Sequence, residues 1–312
     1  MSRVRVVIVM FALVALPAIA ALPAEAASER EPMSIAPTVA NPSQCGRRCL
    51  LELLTQYTEA LTDNDIGRLP LAADVRATSN GSQVQVGHGE VWGSVTRIPF
   101  RRAFVDPMSG SAVFYGTLTN TPTRDAARWW FYVVRLAVRD KKIAEVEEIS
   151  YDGGLGNTTA SGLSLPDRLF DTYLPPDERV SREQLMSIAN QYFDAVSQSV
   201  DYHTVPWHPE CERIELGVFT VNALMNAGSC GGEFKNPAVK WNVKNRRFYI
   251  ADPERGVVLA IGNFTTPPEY PHNNGSVVFE VFKVQDGLIR QIEAFFRGNG
   301  QLHSGWGAGP GS

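Results

Sequence analysis

A histidine and a carboxylate stand two residues apart in a glycine-flanked segment of the chain. His88 and Glu90 lie within Gly87–Ser94, and Trp92 follows two residues later. An imidazole and a carboxylate this close can act as a proton-transfer pair, a role typically worth about 10²–10⁴-fold in rate. The simpler interpretation, which the weakness of short motifs favours, is an exposed turn with Trp92 filling the fold. His88 and Glu90 are kept as candidate catalytic residues and Trp92 as a candidate ligand contact.

A second polar and aromatic segment lies in the other half of the chain. Residues 201–210 contain His203, Trp207, His208 and Glu210. Two histidines five residues apart without a helix to fix them do not specify a metal site. A packed tryptophan beside two solvated imidazoles is the favoured simpler interpretation. His208 is the candidate catalytic residue here and Trp207 the candidate ligand contact.

One arginine in each half of the chain is a further candidate for ligand binding. Arg76 and Arg213 each suit an anionic or carbonyl-bearing ligand, and we expect them to occupy equivalent positions. An equally good interpretation is that each is paired with an acid, Glu145 or Glu215. The chain contains no nucleophile elbow, phosphate-binding loop, HExxH or dinucleotide motif. We therefore expect neither a cofactor nor a metal.

The elements that hold these residues occur twice. Asp106-Pro and Asp252-Pro each open an Asp-Pro-x-x-Gly turn that leads into an apolar strand, and the two turns are 146 residues apart (252 − 106). A shift of 146 residues also carries Glu147 onto Glu293. Matches in one register over nearly fifty residues indicate two copies of one unit. Asp, Pro and Gly suffice for the turn. Features shared by both copies therefore belong to the fold, and unshared ones are better functional candidates.

The predicted architecture is α+β, with two tandem cone-shaped units. Apolar residues at helical spacing predict a helix over 50–61 and another over 185–196, and Ser181 opens the second with a capping box. Each helix precedes strands that form a curved antiparallel sheet around it. The predicted order is a signal peptide (1–26), a flexible leader (27–42), the first cone (43–152), an exposed linker (153–178), the second cone (179–297) and a Gly-rich tail (298–312).

The N-terminal residues have the pattern of a secretory signal peptide. Arg3 and Arg5 precede the apolar run Val6–Leu16, and Ala24–Ala26 supplies the small residues of a cleavage site. Prolines end the apolar run before the roughly 20 residues that a spanning helix needs. We therefore expect a secreted, extracellular protein without membrane contact after cleavage.

Secretion favours disulfides among the four cysteines. Three pairings are possible; we favour Cys211 with Cys230, which leaves Cys45 with Cys49 as a local clasp. Four Asn-x-Ser/Thr sequences, an excess over chance, predict glycosylation; they begin at Asn80, Asn157, Asn263 and Asn274. The formal net charge is −4 and no basic stripe occurs. Nucleic acid is therefore not an expected partner.

The motif order resembles that of a known superfamily. It includes Cys45-x-x-x-Cys49, Leu69-Pro-Leu-Ala72, Asn80-Gly81, Asp106-Pro and Arg246-Arg247-Phe248. The order is similar to nuclear-transport-factor-2-like proteins, which include SnoaL-like cyclases and ketosteroid-isomerase-like enzymes. More closely, it resembles a secreted family of fungi and bacteria described mainly as a domain of unknown function. The resemblance implies the cone fold but not the chemistry, because this fold hosts many activities.

Two functions remain open, and the sequence does not decide whether the protein is an enzyme. One is a cofactor-free lyase, isomerase or cyclase that moves protons on a small hydrophobic metabolite. The other is a secreted ligand-binding or scaffold protein without turnover. We also expect a monomer, because the aromatic run Trp129–Tyr132 needs a cover and the second unit's Phe279, Phe282, Phe295 and Phe296 can provide it.

Overall fold

Two sheets, each with its own helix, follow one another along the chain. The computed structural model describes residues 34–35, 45–120, 128–155, 158–159, 169–221, 230–232, 241–265 and 275–298. In chain order the elements are β1 (Ser34–Ile35), α1 (Arg47–Asp63), β2 (Leu71–Ser79), β3 (Ser82–Val84), β4 (Arg97–Asp106), β5 (Ser111–Thr119), β6 (Trp129–Arg139), β7 (Lys142–Tyr151), β8 (Gly154–Leu155), β9 (Thr158–Thr159), α2 (Arg182–Val196), β10 (Trp207–Glu215), β11 (Val218–Phe219), β12 (Asn242–Asp252), β13 (Val257–Thr265), β14 (Ser276–Gln285) and β15 (Leu288–Gly298). This confirms the predicted α+β fold with two tandem units.

The two sheets share one topology. Their strand orders are β3-β2-β7-β6-β5-β4 and β1-β12-β13-β14-β15-β10-β11. The strand after each helix pairs in parallel with the last long strand of its unit, β2 with β7 and β10 with β15. The consecutive long strands pair antiparallel. The predicted antiparallel sheets thus share one parallel pair at equivalent places, and the second sheet has another between β1 and β12.

Each helix fills the concave side of its own sheet. Helix α1 packs over β4 and β5, and α2 packs over β12 and β13. Their apolar faces, including Tyr57 and Tyr192, belong to two separate cores. The capping box of α2 forms as predicted, with reciprocal hydrogen bonds between Ser181 and Gln184. One helix in each cone therefore positions the interior side chains.

A third apolar cluster lies between the convex faces of the two sheets. It contains Phe131 of β6 and Phe279 of β14. The ring of Phe295 lies 3.9 Å from Tyr115 and 5.1 Å from Phe131. Phe282, which we had expected in this cover, belongs instead to the second core. The reason is strand alternation, because residues three apart face opposite sides of a sheet.

Reciprocal ion pairs join the two units. Arg247 of the second unit contacts Glu147 of the first at 2.7 Å, and Arg102 of the first contacts Glu293 of the second. Each acid is the repeat equivalent of the other, so the contact has the self-complementary pattern of a two-fold interface.

The turn aspartates take part in the same pattern. Asp252 accepts a hydrogen bond from Arg47 of α1 at 2.8 Å, and Asp106 accepts one from Arg182 of α2. Arg47 and Arg182 differ by 135 (182 − 47), the shift that relates the two helices. Asp106 Oδ1 also accepts the backbone N–H of Met108 at 2.9 Å, as expected for a turn. The aspartates thus shape the turns and join the units.

Three segments outside the predicted cones differ from the sequence predictions. The linker is not simply exposed, because Phe170 is fully buried between the sheets, 6.0 Å from Phe104. The leader is not wholly flexible, because Ser34–Ile35 pairs with β12. Gly298 ends β15 rather than beginning a free tail. The predicted signal peptide and residues 299–312 lie outside the described residues.

Candidate functional site

The first cone contains a buried carboxyl group that accepts three hydrogen bonds. Glu148 Oε1 accepts the hydroxyl of Tyr57, the indole N–H of Trp92 at 2.8 Å and the hydroxyl of Tyr132 at 2.8 Å. Burial raises the pKa of Glu148, although these three donors favour its charged form and oppose the rise. The four side chains form one fully buried polar cluster in an apolar cone.

A glycine closes this cluster from the other side. A Cβ added to Gly89 would lie 2.0 Å from Glu148 Oε2 and 3.2 Å from the hydroxyl oxygen of Ser79. Only a residue without a side chain therefore fits against the carboxyl group. Oε2 makes no well-formed hydrogen bond within the part of the chain that the structure describes. In the first site, Glu148 Oε1 therefore accepts three hydrogen bonds, and the backbone at Gly89 covers Glu148 Oε2.

The second cone contains a comparable carboxyl group with fewer donors. Glu280 Oε1 accepts the hydroxyl of Tyr192 at 2.9 Å. Glu280 Oε2 is buried and has no hydrogen-bond partner among the described residues. Arg213 and Glu215, paired to each other at 2.7 Å, lie on the same side of the sheet. Here a carboxyl, a phenol and an ion pair meet in the interior.

The charge state of Glu280 follows from this environment. Burial raises its pKa to about 8, while Arg213 and the hydrogen bond from Tyr192 oppose the rise and Glu215 adds to it. Burial likewise raises the pKa of Tyr192 well above its usual value, so the phenol keeps its proton. Glu280 is therefore largely protonated near neutral pH.

The two buried acids occupy equivalent positions on different strands. Glu148 lies directly opposite Val134 across β7 and β6, and Glu280 lies opposite Ala294 across β14 and β15. The shift of 146 carries Val134 onto Glu280 and Glu148 onto Ala294. The acid has thus exchanged strands between the units. Because paired residues have neighbouring side chains, both acids still reach the helix tyrosine.

The structure does not support His88 and Glu90 as a proton-transfer pair. His88 is exposed. Glu90 binds Arg297 of the second unit and accepts a hydrogen bond from Asn80 at 2.6 Å. Trp92 does lie at a site, because its indole binds Glu148. The glycine-flanked segment therefore covers the first acid and supplies a donor, but its histidine points elsewhere.

The segment around His208 has a structural role in the described contacts. His208 is half-buried, and its Nδ1 accepts the backbone N–H of Glu210 at 3.1 Å. The indole of Trp207 donates to the carbonyl of Tyr202 at 2.9 Å and lies edge-on to Tyr192 at 6.1 Å. Trp207 thus packs beside the second site, whereas no described contact connects His208 to Glu280.

Arg76 and Arg213 are not equivalent, contrary to our expectation. Arg76 pairs across the sheet with Glu145, whereas Arg213 pairs with Ile292, the repeat equivalent of Val146. This one-residue difference places them on opposite faces. Arg213 is buried in its cone, and Arg76 is 58% exposed. Both have acid partners, Glu145 and Glu215 respectively, as the alternative interpretation proposed.

Both predicted disulfides are present. Cys211 bonds to Cys230, and Cys45 bonds to Cys49 across the first turn of α1. The described residues contain no group of three or more metal-ligating side chains suitable for an ion. Within the same ranges no helix has both the length and the apolar character to cross a membrane.

The glycosylation sites have different environments. Asn263 is fully buried, so a glycan there does not fit the fold and that prediction is wrong. Asn80 is half-buried at a turn, and its amide contacts Glu90 and Ser150. Asn157 and Asn274 lie outside the described residues.

Sequence reasoning missed Glu148, Glu280 and their tyrosines as site residues. Both tyrosines lie on the apolar faces of the helices, and the rule that shared features belong to the fold assigns them to core packing. The sequence did contain a signal for the acids, because the equivalent position in the other unit is apolar in each case. Glu148 corresponds to Ala294, and Glu280 corresponds to Val134. An acid at a position where the other unit has an apolar residue indicates an interior polar group that needs partners.

Comparison with known proteins gives one family and several similar structures. A candidate polyketide cyclase from Xanthomonas campestris pv. campestris is 16% identical with a TM-score of 0.28, and the match covers 33% of this chain and 90% of that one. AclR, a candidate hydroxylase from Streptomyces galilaeus, is 14% identical with a TM-score of 0.25, covering 34% and 90%. No curated protein matches. A family model described as "Domain of unknown function (DUF8021)" matches residues 43–150 and 178–296, so the chain belongs to this family and contains its domain twice.

Proposed function

We propose that the second cone binds a small apolar molecule and that Glu280 transfers a proton to or from it without a cofactor. The observation that carries this proposal is the buried, singly hydrogen-bonded carboxyl of Glu280, whose Oε2 has no described partner. A buried acid with a strongly raised pKa beside a charged pair is typical of functional sites. A substrate oxygen would satisfy the second carboxyl oxygen.

The surrounding groups suit acid–base chemistry near neutral pH. With a pKa of about 8, Glu280 is a general acid for a substrate carbonyl, and its ionised fraction, roughly a tenth at pH 7, is a general base. Tyr192 fixes one carboxyl oxygen. Arg213 supplies positive charge that favours the ionised form and a developing enolate. The reaction class is proton removal beside a carbonyl followed by reprotonation, the elementary step of isomerisation.

Hydrogen exchange tests this activity without knowledge of the substrate. The protein is incubated in D₂O with a panel of small apolar ketones, and deuterium entry beside the carbonyl is followed by mass spectrometry. We expect catalysed exchange with at least one ketone, loss of most of it in Glu280→Gln, and no loss in Glu52→Gln, which alters an exposed acid on α1. Equal exchange with and without protein for every ketone would refute the proposal.

A second candidate function is ligand binding or scaffolding without turnover. The first cone favours it, because Glu148 is saturated by three donors and covered by Gly89, an arrangement that stabilises the interior without any substrate. If Glu280→Gln leaves exchange unchanged while a ketone still raises the thermal stability, this function replaces catalysis.

We also propose that the protein is secreted and acts outside the cell. The predicted signal segment supports secretion, and so do the disulfides Cys45–Cys49 and Cys211–Cys230, because such bonds persist in oxidising compartments. Asn80, Asn157 and Asn274 remain proposed glycan sites. Mass spectrometry of secreted material, before and after glycosidase treatment, tests both points.

We further propose that the protein is a monomer whose two units pair with each other. The apolar cluster between the sheets and the reciprocal contacts Arg247–Glu147 and Arg102–Glu293 support this arrangement. The short linker gives the second unit an effective concentration in the millimolar range, so pairing within one chain outcompetes dimerisation. Light scattering is expected to give the mass of one chain, and twice that mass contradicts the proposal.

A further inference from the structure

The two helices begin at equivalent residues but are capped in different ways. The first hydrogen bond of α1 joins the N–H of Leu50 to the carbonyl of Gly46 at 3.1 Å. The equivalent bond of α2 joins the N–H of Leu185 to the carbonyl of Ser181 at 3.0 Å, a shift of 135 residues (185 − 50). Ser181 closes a capping box with Gln184, whereas Gly46 is an N-cap without a side-chain hydrogen bond. Helix α1 therefore lacks the side-chain cap that α2 has.

A disulfide lies where the second unit has its capping box. The shift of 135 carries Cys45 onto Val180 and Cys49 onto Gln184, the residue that completes the box of α2. The bond between Cys45 and Cys49 thus joins the residue before the N-cap to the third residue of the helix. It holds the first turn closed covalently, as the reciprocal hydrogen bonds of a capping box do without a covalent bond.

The first residue of each helix contacts the other unit. Arg47 begins α1, and Arg182 begins α2. Arg47 contacts Asp252 at 2.8 Å, and Arg182 contacts Asp106. Asp252 is buried, with 6% of its side chain exposed, so the loss of a cation beside it is costly. The position of the first turn of α1 therefore decides whether this acid keeps Arg47 as its partner.

The chain before each helix also crosses to the other unit. Ser34–Ile35 begins thirteen residues before α1 (47 − 34) and pairs with β12. Leu169–Asp171 begins thirteen residues before α2 (182 − 169), and the ring of its Phe170 lies 6.0 Å from that of Phe104 in the first unit. The start of each helix, with the segment before it, is thus a docking element for the other unit.

The two disulfides differ in their exposure to solvent. Cys211 and Cys230 are 8% and 1% exposed. Cys49 is half-buried, and its neighbour Arg48 is exposed. Cys49 also lies in the first turn of a helix, where the helix dipole favours a thiolate as the leaving group. A dithiol therefore has better access to the bond between Cys45 and Cys49 than to the second disulfide.

We propose that the Cys45–Cys49 disulfide is a reducible cap that holds Arg47 against Asp252, so that its reduction by a dithiol loosens the contact between the units. Two electrons and two protons pass from the dithiol, which closes its own disulfide, and Cys45 and Cys49 become thiols. Helix α1 then begins at a glycine without a side-chain cap, and its first turn frays. This inference rests on the proposed pairing of the two units and is independent of Glu280.

Two variants separate the cap from the cysteines themselves. Cys45→Val/Cys49→Ala has neither the bond nor a box. Cys45→Val/Gly46→Ser/Cys49→Gln lacks the bond but receives the residues that form the box of α2. In urea unfolding, the first variant should have a lower denaturation midpoint than the unaltered protein, and the second should recover at least about half of that loss. An unchanged midpoint in the first variant, or no recovery in the second, would overturn the role of the disulfide as a cap.

Double-mutant cycles measure whether the cap controls the contact between the units. Arg47→Met and Asp252→Asn are made singly and together in the unaltered protein and in both cap variants. Their coupling should change the unfolding equilibrium constant at least about tenfold in the unaltered protein and in the variant with the box. It should be below about twofold in the variant with neither cap. Equal coupling in all three proteins would refute the proposal.

The start of the second helix supplies the matched control. A cycle of Arg182→Met and Asp106→Asn should give the same coupling in all three proteins, because the capping box of α2 is unaltered in them. Loss of this coupling in every protein would overturn the proposed pairing itself. If it persists while the coupling of Arg47 does not depend on the cap, only the role of the disulfide is refuted.

Timed alkylation tests whether the bond is reducible in the folded protein. The unaltered protein is treated with dithiothreitol, alkylated at intervals and mapped by mass spectrometry. Cys45 and Cys49 should be labelled at least about tenfold faster than Cys211 and Cys230. Labelling of all four cysteines at one rate would contradict a selectively reducible cap.

Discussion

Replacing Glu280 with glutamine should change the way in which stability depends on pH. Glutamine copies the shape of the protonated acid and keeps an oxygen for the Tyr192 hydroxyl. Because burial raises the pKa of Glu280, the folded state binds this proton more tightly than the unfolded state. The resulting stability is fully present below pH 4.5 and is lost as pH rises towards 8.

The magnitude follows from the shift of the pKa. With an ordinary value of 4.5 and a folded value of about 8, Glu280 costs the protein about 3 kcal/mol of unfolding free energy between pH 5 and pH 8. The variant lacks this loss. Lys283, whose pKa burial lowers to about 8, adds stability mainly above pH 8 and is present in both proteins. The comparison between the proteins therefore isolates Glu280.

Urea unfolding at pH 5 and pH 8, followed by tryptophan fluorescence with the disulfides intact, measures the effect. Glu280→Gln should match the unaltered protein at pH 5 and exceed it by about 3 kcal/mol at pH 8. Glu52→Gln controls for the loss of one acid, because Glu52 is 61% exposed on α1. A pH dependence that is the same in Glu280→Gln and the unaltered protein would show that Glu280 titrates like an exposed acid.

Three other substitutions address the first site, the interface and the second disulfide. Gly89→Ala should destabilise the protein by about 1–3 kcal/mol in urea unfolding, since its Cβ meets a buried carboxylate. Gly46→Ala meets nothing within 4 Å and should cost only about 0.5 kcal/mol, because Gly46 is the N-cap of α1 and alanine is a poorer N-cap than glycine; equal effects of the two substitutions would contradict the described packing. Arg247→Met should cost about 3–5 kcal/mol, because it leaves a buried acid with one cation fewer, and a loss below 1 kcal/mol would mean that the ion pair is solvated. Replacing Cys211 and Cys230 together with alanine should cost about 3 kcal/mol, because the bond spans 19 residues; an unchanged denaturation midpoint would argue against a closed loop.

The sequence was sufficient to predict the two units and the apolar character of the face around Phe131, but not the ion pairs between the units. Repeated spacing placed the helices, and Asp106 and Asp252 marked the turns because Asp, Pro and Gly have defined backbone preferences. The consecutive aromatics around Phe131 predicted an apolar convex face, and Phe295 does cover it.

The interior chemistry could not be predicted in the same way. The acids Glu148 and Glu280 stand on different strands, and only cross-strand pairing shows that they share one place. A shift of one residue separates Arg76 from Arg213, and in a strand that shift exchanges the buried face for the exposed one. The spacing of residues in the sequence does not reveal which residues of two parallel strands lie opposite each other when one strand has an irregular stretch.

The ionisation of Glu280 in the folded protein tests the central claim most directly. Carbon-13 NMR follows each glutamate carboxyl through a pH titration, and comparison with Glu280→Gln identifies the resonance. We predict a carboxyl that titrates at about pH 8 and is missing from the variant. A resonance of Glu280 that titrates near the ordinary value of 4.5 would contradict the claim, because the carboxyl would then be ionised at neutral pH and could not act as the proposed acid.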